Sequence, residues 1–219
     1  MKKKATSKNS LIVIFTVSML LLGCSKAYYG TMEKMGIHKR DILVDRVEDA
    51  RDAQAEAQVQ FKDALEQFGS VVTLENTDLK ASYDRLNAEF EDSEAAAEDV
   101  YDRIDKVESV AEDLFAEWEK ELDLYTNQEL KRTSANKLRD TKSRYREMLA
   151  SMHRAEKSMD PVLNTFRDNV LFLKHNLNAQ AIGSLRSEFS NLKGEIGDLV
   201  NRMNDAINSS NQFIADLKQ

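Results

Sequence analysis

The residues that could do chemistry in this chain are few, and the first is its single cysteine, Cys24. A thiol can form a disulfide, bind a metal or accept a covalent group, but one cysteine has no partner for a disulfide within the chain. The three histidines, His38, His153 and His175, do not stand three or four residues apart, which is the spacing of a helical metal site. A metal site would require them to converge in space with carboxylates, and we expect none.

No motif of a catalytic site is present in the sequence. It contains neither a glycine-rich phosphate loop nor a G-x-S-x-G nucleophile turn. Carboxylates are abundant, but a solvated helix face explains them, because paired-carboxylate catalysis needs an enclosing pocket that shifts a pKa. Trp118, Tyr125 and Tyr145 could line a slot for a small ligand, although aromatic residues at helical spacing are usually core. We therefore expect no enzyme activity and rank ligand binding lowest.

Cys24 ends a segment typical of exported, lipidated proteins. Four lysines precede an apolar run over residues 11–22, which is as long as the hydrophobic region of a secretory signal and too short to span a bilayer. The run ends in Leu21, Leu22, Gly23 and Cys24, which resemble the lipobox of bacterial lipoproteins. This motif predicts that residues 1–23 are a cleaved signal peptide and that Cys24 receives diacylglycerol and an N-acyl chain. The alternative is a free thiol in an ordinary signal peptide.

Lipidation would place the protein at a membrane. Each buried CH₂ of an acyl chain contributes about 0.8 kcal/mol, so several chains give stable anchoring. Ser25 follows the cysteine, whereas an Asp there typically retains a lipoprotein in the inner membrane. We therefore expect the outer membrane, with the protein facing the periplasm. We predict that residues 24–36 form a lipidated tether. Tyr28 and Tyr29 lie at the level of the lipid headgroups, or they have no role in membrane contact.

The charge of the chain limits its partners. The net charge is −7, and removal of the four signal lysines leaves 27 basic against 38 acidic residues, or −11. An acidic protein is a poor nucleic-acid binder, and anionic lipid repels it, so we expect membrane contact through the acyl chains. One basic island, His38, Lys39 and Arg40, adjoins the tether. Two interpretations of this island are open. Its side chains contact phosphates of lipid headgroups, or the segment is an ordinary helix start, and the second interpretation is the simpler one.

Residues 37–219 predict one helical domain. Glycine and proline are scarce, charges are many, and apolar residues recur at alternating steps of four and three, the a/d spacing of a heptad. The first stripe begins at Leu43 and ends at Phe68, and Gly69 is predicted to end its helix. The second stripe runs from Leu79 to Tyr125, which predicts a helix of about 50 residues.

The ends of the helices leave several alternatives open. Asn76 or Thr77 can cap the second helix, and the third begins at a Thr126/Glu129 capping box or at Ser134. The third stripe crosses Pro161, which kinks a helix or starts a new one.

The last helix carries several glycines. The register of the stripe slips around Asn178–Gly183, and Gly183 and Ser184 can break and recap the helix before the last stripe, which begins at Leu185. Gly194 and Gly197 lie off this stripe, where each weakens the helix or allows close approach of a neighbour.

A helix with one apolar seam must bury it against another helix or another copy of the chain. Short connections favour antiparallel neighbours. The sequence therefore predicts an all-α fold, an elongated antiparallel coiled-coil-like bundle of three or four long helices.

The beginning of the chain after Cys24 resembles a known family. The resemblance rests on Tyr28-Tyr29-Gly30, on the stretch from Gly36 to Val47 and on Ala50-Arg51-Asp52-Ala53-Gln54. It is to an uncharacterised family of proteobacterial lipoproteins, known as a domain of unknown function with predicted coiled coil. The resemblance implies export to the cell envelope and supplies no activity, ligand or catalytic residue.

Three functions are compatible with these features. The first is a lipid-anchored adaptor that docks a protein partner in the envelope, and its basis is a helical bundle with an anchor and no catalytic motif. The second is a scaffold that self-associates through its helical seams and braces the membrane. We rank it lower because such proteins present basic faces to lipid. The third is a small-ligand-binding protein.

Overall fold

The computed structural model describes residues 38–73 and 78–218, which form four long helices joined by short turns. No strand occurs in this part of the chain. A 3₁₀ turn, Leu122–Leu124, follows the second helix. The all-α prediction is confirmed. The helices are α1 Lys39–Thr73, α2 Leu79–Glu121, α3 Gln128–His175 and α4 Ala179–Leu217.

The chain divides into two compact units, Met1–Ile42 and Leu43–Gln219. In the first unit the structure describes only the residues that start α1. The carbonyl of His38 accepts hydrogen bonds from the backbone N–H groups of Asp41 (2.9 Å) and Ile42 (3.2 Å). The second unit contains the helical bundle.

Side-chain contacts show that neighbouring helices of the bundle are antiparallel, because residue numbers fall in one helix as they rise in the other. Each helix has two neighbours, and α4 closes the bundle against α1. The contacts are Asp49–Arg103 and Gln60–Glu89 between α1 and α2, Glu94–Arg167 and Glu108–His153 between α2 and α3, Arg144–Asp216 between α3 and α4, and Gln58–Asn204 and Val72–Arg186 between α1 and α4.

The seams predicted from the sequence form the core of this bundle. Every member of the α1 seam from Leu43 to Phe68 is fully buried, and the α3 seam is buried from Leu138 to Leu173. Four phenylalanines interlock between the helices, and their ring centroids lie 5.9–6.0 Å apart: Phe68, Phe90, Phe166 and Phe189. The seams bury one another within one chain, so a partner would have to bind other surfaces.

The α2 seam departs from the prediction near its end. Trp118 is only half-buried and Tyr125 is exposed, whereas Phe115 is buried in the core. The reason for the exposure of Tyr125 is that α2 ends at Glu121, so Tyr125 lies in the turn that leads to α3 and not on the helix. The α2 helix has 43 residues rather than about 50.

The prediction that Gly69 ends the first helix is wrong, because α1 continues to Thr73. Val71 and Val72 extend its buried face. Gly69 instead allows close packing, since a Cβ atom there would lie 3.0 Å from Cζ of Phe189.

The residues predicted to cap α2 are also corrected. Asp78 caps this helix rather than Asn76 or Thr77, which lie outside the described residues. Its Oδ1 accepts hydrogen bonds from the N–H groups of Lys80 (3.0 Å) and Ala81 (3.1 Å). A carboxylate at this position also interacts favourably with the helix dipole.

Asn127 caps α3, so both predicted starts, at Thr126 and at Ser134, are wrong. The amide oxygen of Asn127 accepts hydrogen bonds from the N–H groups of Glu129 (2.9 Å) and Leu130 (3.2 Å). Its extended backbone conformation, φ −85° and ψ 113°, is the one that an N-cap requires.

Residues 130–217 form two helices. The α3 helix passes through Pro161 without interruption, which settles the alternatives at that residue in favour of continuation. The break occurs at residues 176–178, and Asn178 caps α4 through its side chain. This break lies at the start of the register slip predicted around Asn178–Gly183, whereas the predicted break at Gly183 and Ser184 is wrong, because both residues lie within α4.

Candidate interaction site

The residues predicted for lipidation lie outside the described part of the chain. These are Leu21, Leu22, Gly23 and Cys24, together with the predicted signal peptide, residues 1–23, and the tether, residues 24–36. The described helices include none that is long and apolar enough to cross a membrane.

The basic island lies at the start of α1. His38 is exposed and precedes the helix, whereas Lys39 and Arg40 are its first two residues and are partly buried. The hydrogen bonds to the carbonyl of His38 make this segment a regular helix start, as the simpler interpretation predicts. Contact of the island with lipid headgroups stays a prediction.

The described residues contain no group of three His, Cys, Asp or Glu side chains that could hold a metal ion. His175 is the last residue of α3, and His153 lies in the middle of that helix. The ring of His153 contacts Glu156 through Nδ1 and Glu108 of α2 through Nε2. Partial burial lowers the pKa of His153, but the hydrogen bonds and charges of the two glutamates outweigh it, so the pKa lies above the usual 6.5. This cluster joins α2 to α3.

The three aromatic residues considered for a ligand slot have other roles. Tyr145 is buried between Phe115 and Phe213, with ring centroids 5.3 and 6.1 Å away. Trp118 donates a hydrogen bond from Nε1 to Oγ of Ser134 at 2.8 Å, which joins α2 to α3. Tyr125 is exposed in the turn that follows. Tyr145 is therefore a core residue, as the heptad spacing indicates.

A groove lies between the end of α3 and the start of α4, and we call it the α3–α4 groove. It has a volume of about 520 Å³. Its walls come from two antiparallel helices that meet at the turn over residues 176–178. The lining residues are Thr165, Asp168, Asn169, Phe172, Ser184, Leu185, Ser187 and Glu188.

The lining of the α3–α4 groove combines apolar and acidic groups. Leu185 is buried at its base, and Phe172 is 40% exposed. Its two charged lining residues are the carboxylates Asp168 and Glu188, and both side chains are exposed. A groove with an apolar wall and two carboxylates favours a ligand segment that carries an apolar side chain beside cations. Leu177 adds an exposed apolar residue in the adjoining turn.

The sequence contains an indication of this groove, two large apolar residues that do not belong to the heptad stripe. Phe172 and Leu171 lie between the seam residues Val170 and Leu173, so they cannot face the core with the seam. These two large apolar residues off the seam are 40% and 45% exposed, respectively, so part of each side chain is open to a ligand.

A second groove, of about 410 Å³, lies between the start of α3 and the end of α4. It contains both signs of charge, and Arg144 forms an ion pair of 2.7 Å with Asp216 inside it. Lys137 and Asp140 add one charge of each sign. Because these charges balance, the second groove has no evident preference for a charged ligand.

The fold and these surfaces define the class of the protein, an all-α bundle of four antiparallel helices with grooves between α3 and α4. The chain belongs to the DUF2959 family of proteins of unknown function, which it matches over residues 28–217. No curated protein and no solved structure shows a significant match. The matched region begins four residues after Cys24, inside the predicted tether, and includes all four helices.

Proposed function

We propose that this protein is a lipid-anchored periplasmic adaptor of the bacterial envelope, which binds another envelope protein through the α3–α4 groove. The observation that supports this function best is the groove itself, an exposed apolar and acidic surface outside the core. Buried seam residues already account for the fold, so the exposed Phe172 is available for binding.

The position of the groove suits an adaptor. In this antiparallel bundle, the α3–α4 turn lies at the opposite end from Asp49 of α1. The sequence that precedes α1 contains Leu21, Leu22, Gly23 and Cys24, which resemble a lipobox. If Cys24 is acylated, the groove is therefore presented at the end of the bundle away from the attachment point, where a periplasmic partner can reach it.

The chemistry of the groove indicates the kind of partner. Asp168 and Glu188 favour lysine or arginine, and the exposed ring of Phe172 favours an apolar side chain. We infer that the partner contributes an amphipathic, basic segment. The outer-membrane location predicted from Ser25 is part of this proposal, and a periplasmic or membrane protein would be the source of the segment.

In-cell photo-crosslinking tests the adaptor function. A photoreactive amino acid is placed at Phe172 or Ser187 in the groove and, as a control, at the exposed Asp102 of α2. We expect one foreign protein to be linked from the two groove positions and not from Asp102. The linked peptide should be basic and amphipathic.

Charge reversal tests whether the carboxylates recognise the partner. Asp168→Lys with Glu188→Lys should abolish the crosslink, whereas Glu91→Lys with Asp102→Lys makes the same change of charge on exposed residues of α2 and should preserve it. Linkage that survives in the groove variant would contradict the proposed recognition. Crosslinks only to a second copy of the chain would support the self-assembling scaffold instead. Loss of acyl labelling in Cys24→Ser tests the anchor.

A further inference from the structure

The α2–α3 turn and the helix ends beside it lie at the end of the bundle opposite the groove, and we call residues 118–137 the hairpin tip. The end of α4 lies beside the first turns of α3, because Asp216 pairs with Arg144 and Leu217 lines the second groove together with Thr133 and Lys137. Two contacts hold the helices of the tip together: the hydrogen bond from Trp118 to Ser134, and the ion pair between Lys131 and Asp123 at 3.2 Å. The turn around Leu124 is therefore a defined structure at this end of the bundle.

The hairpin tip exposes three apolar residues within seven positions of the sequence. Leu124 is 79% exposed, Leu130 is 55% exposed and Tyr125 is 38% exposed. A single exposed leucine needs no explanation, but a cluster on one turn marks an interaction surface. None of these side chains is needed for the core, which ends near Phe115 and Leu138.

The tip lies at the end of the bundle that is connected to the predicted lipid anchor. Asp49 of α1 pairs with Arg103 in the second half of α2, so the chain enters the bundle at the same end as the tip. The 14 residues from Cys24 to His38 can span at most about 50 Å. In a protein acylated at Cys24, the length of this segment limits how far the tip can lie from the membrane.

The charges of the tip permit contact with lipid. The whole chain has a net charge of −7, but residues 118–137 contain four acidic and four basic side chains and are neutral. Behind the tip, Arg132, Arg139 and Arg146 recur at heptad spacing on the exposed side of α3. Apolar residues, a tyrosine and arginines are the combination found at membrane–water interfaces.

We propose that the hairpin tip is a membrane-contacting surface, in which Leu124, Tyr125 and Leu130 enter the boundary between headgroups and acyl chains. This inference rests on the lipid anchor of the proposed function. The acidic net charge led us to expect membrane contact through the acyl chains. The proposal adds a second contact, made by a neutral, apolar turn. The bundle would be held against the bilayer rather than suspended from its tether.

Fluorescence from single labels tests the contact in the acylated protein. Since Cys24 is the only cysteine and its thiol is acylated in this protein, Leu124→Cys provides one reactive thiol for an environment-sensitive dye. Leu177→Cys is the matched control, because Leu177 is an exposed leucine of a turn at the other end of the bundle. The proteins are reconstituted in vesicles of phosphatidylethanolamine and phosphatidylglycerol, with and without brominated acyl chains.

We expect brominated lipid to quench the dye at position 124 and not at position 177. In the chain with Cys24→Ser, Leu124→Asp with Leu130→Asp should weaken partition into the same vesicles at least about tenfold. An unquenched dye at position 124 in acylated, vesicle-bound protein would overturn the membrane contact and leave the adaptor function intact. If the dye at position 124 showed blue-shifted emission without quenching, a protein would cover the tip, and the membrane contact would also be overturned. A wild-type chain that is not acylated in cells would overturn the contact together with the anchor.

Discussion

Gln54 offers the sharpest test of how the core of this bundle is built. It occupies a seam position of α1 and is fully buried. Within the described protein, neither its amide oxygen nor its amide nitrogen has a hydrogen-bond partner. Two other buried polar side chains are satisfied, because the hydroxyls of Ser93 and Ser210 donate to the carbonyls of Glu89 (2.7 Å) and Ala206 (2.8 Å).

The effect of removing the amide can be worked from these observations. Burial of an uncompensated amide costs about 1–3 kcal/mol in protein mutational data. Methionine is unbranched like glutamine and similar in length, so Gln54→Met removes the polar group with little change of shape. We therefore expect the free energy of unfolding to rise by about 1–3 kcal/mol. In a protein of this size, each kcal/mol corresponds to about 2–4 °C in melting temperature.

Gln58→Met is the matched control, one turn further along α1. The side chain of Gln58 donates hydrogen bonds from Nε2 to Oδ1 of Asn204 (2.9 Å) and to the carbonyl of Val200 (3.3 Å). Its loss should lower the free energy of unfolding by about 0.5–1.5 kcal/mol. Urea unfolding followed by circular dichroism measures both variants. If Gln54→Met were as destabilising as Gln58→Met, the conclusion that Gln54 is unpartnered would be refuted.

Three further predictions concern the other helices. Gly194→Ala and Gly197→Ala should each raise the free energy of unfolding by about 0.5–1 kcal/mol in thermal unfolding, because an added Cβ meets no atom within 4 Å and alanine favours the helix. Phe166→Ala should lower it by about 3–5 kcal/mol in urea unfolding, since this fully buried ring packs between α1 and α2. His153→Gln should destabilise the protein more below pH 6.5 than above it, because the pKa of His153 is raised in the folded state. The stabilisation is complete below the unfolded pKa and is lost as pH rises through the folded one. Urea unfolding at several pH values measures the difference.

Two results would contradict these predictions. Gly69→Ala is the control for the glycines, since its Cβ would lie 3.0 Å from the ring of Phe189 and the substitution should give no gain in stability. An equal gain at Gly69 and Gly194 would show that packing against Phe189 does not matter. For His153, a constant difference between wild type and variant across pH 6.5 would show that Glu108 and Glu156 do not stabilise its charged form.

The sequence predicted which residues are buried far better than where helices end. Burial followed the heptad spacing from Leu43 to Phe68 because one periodic face must be buried whatever the partners are. The position of a helix end depends on which of several neighbouring residues caps it, because each of them can bind the free N–H groups of the first turn. Asp78 and Asn127 displaced the caps predicted one or two residues earlier, and of the register slip predicted over Asn178–Gly183 only its first residue lies at the break.

The position of the end of α4 beside the hairpin tip could not be predicted from either pattern. It depends on how the end of α4 aligns with α3, and contacts such as that between Arg144 and Asp216 set that alignment only in the folded chain. The α3–α4 groove likewise requires two helices in a known register.

The distribution of exposed apolar residues distinguishes the adaptor from the bracing scaffold. Among the described residues, seven large apolar side chains are exposed, and six of them lie at the two ends of the bundle: Leu124, Tyr125 and Leu130 at one end, and Leu171, Phe172 and Leu177 at the other. Val59 is the exception on a long face. A scaffold that lay along a membrane, or that assembled side by side, would need apolar or basic residues along one long face. Two apolar ends of different charge suit a protein that contacts lipid at one end and a basic partner at the other. Side-by-side dimers that formed at low concentration and survived both Phe172→Ala and Leu124→Asp would instead favour the scaffold.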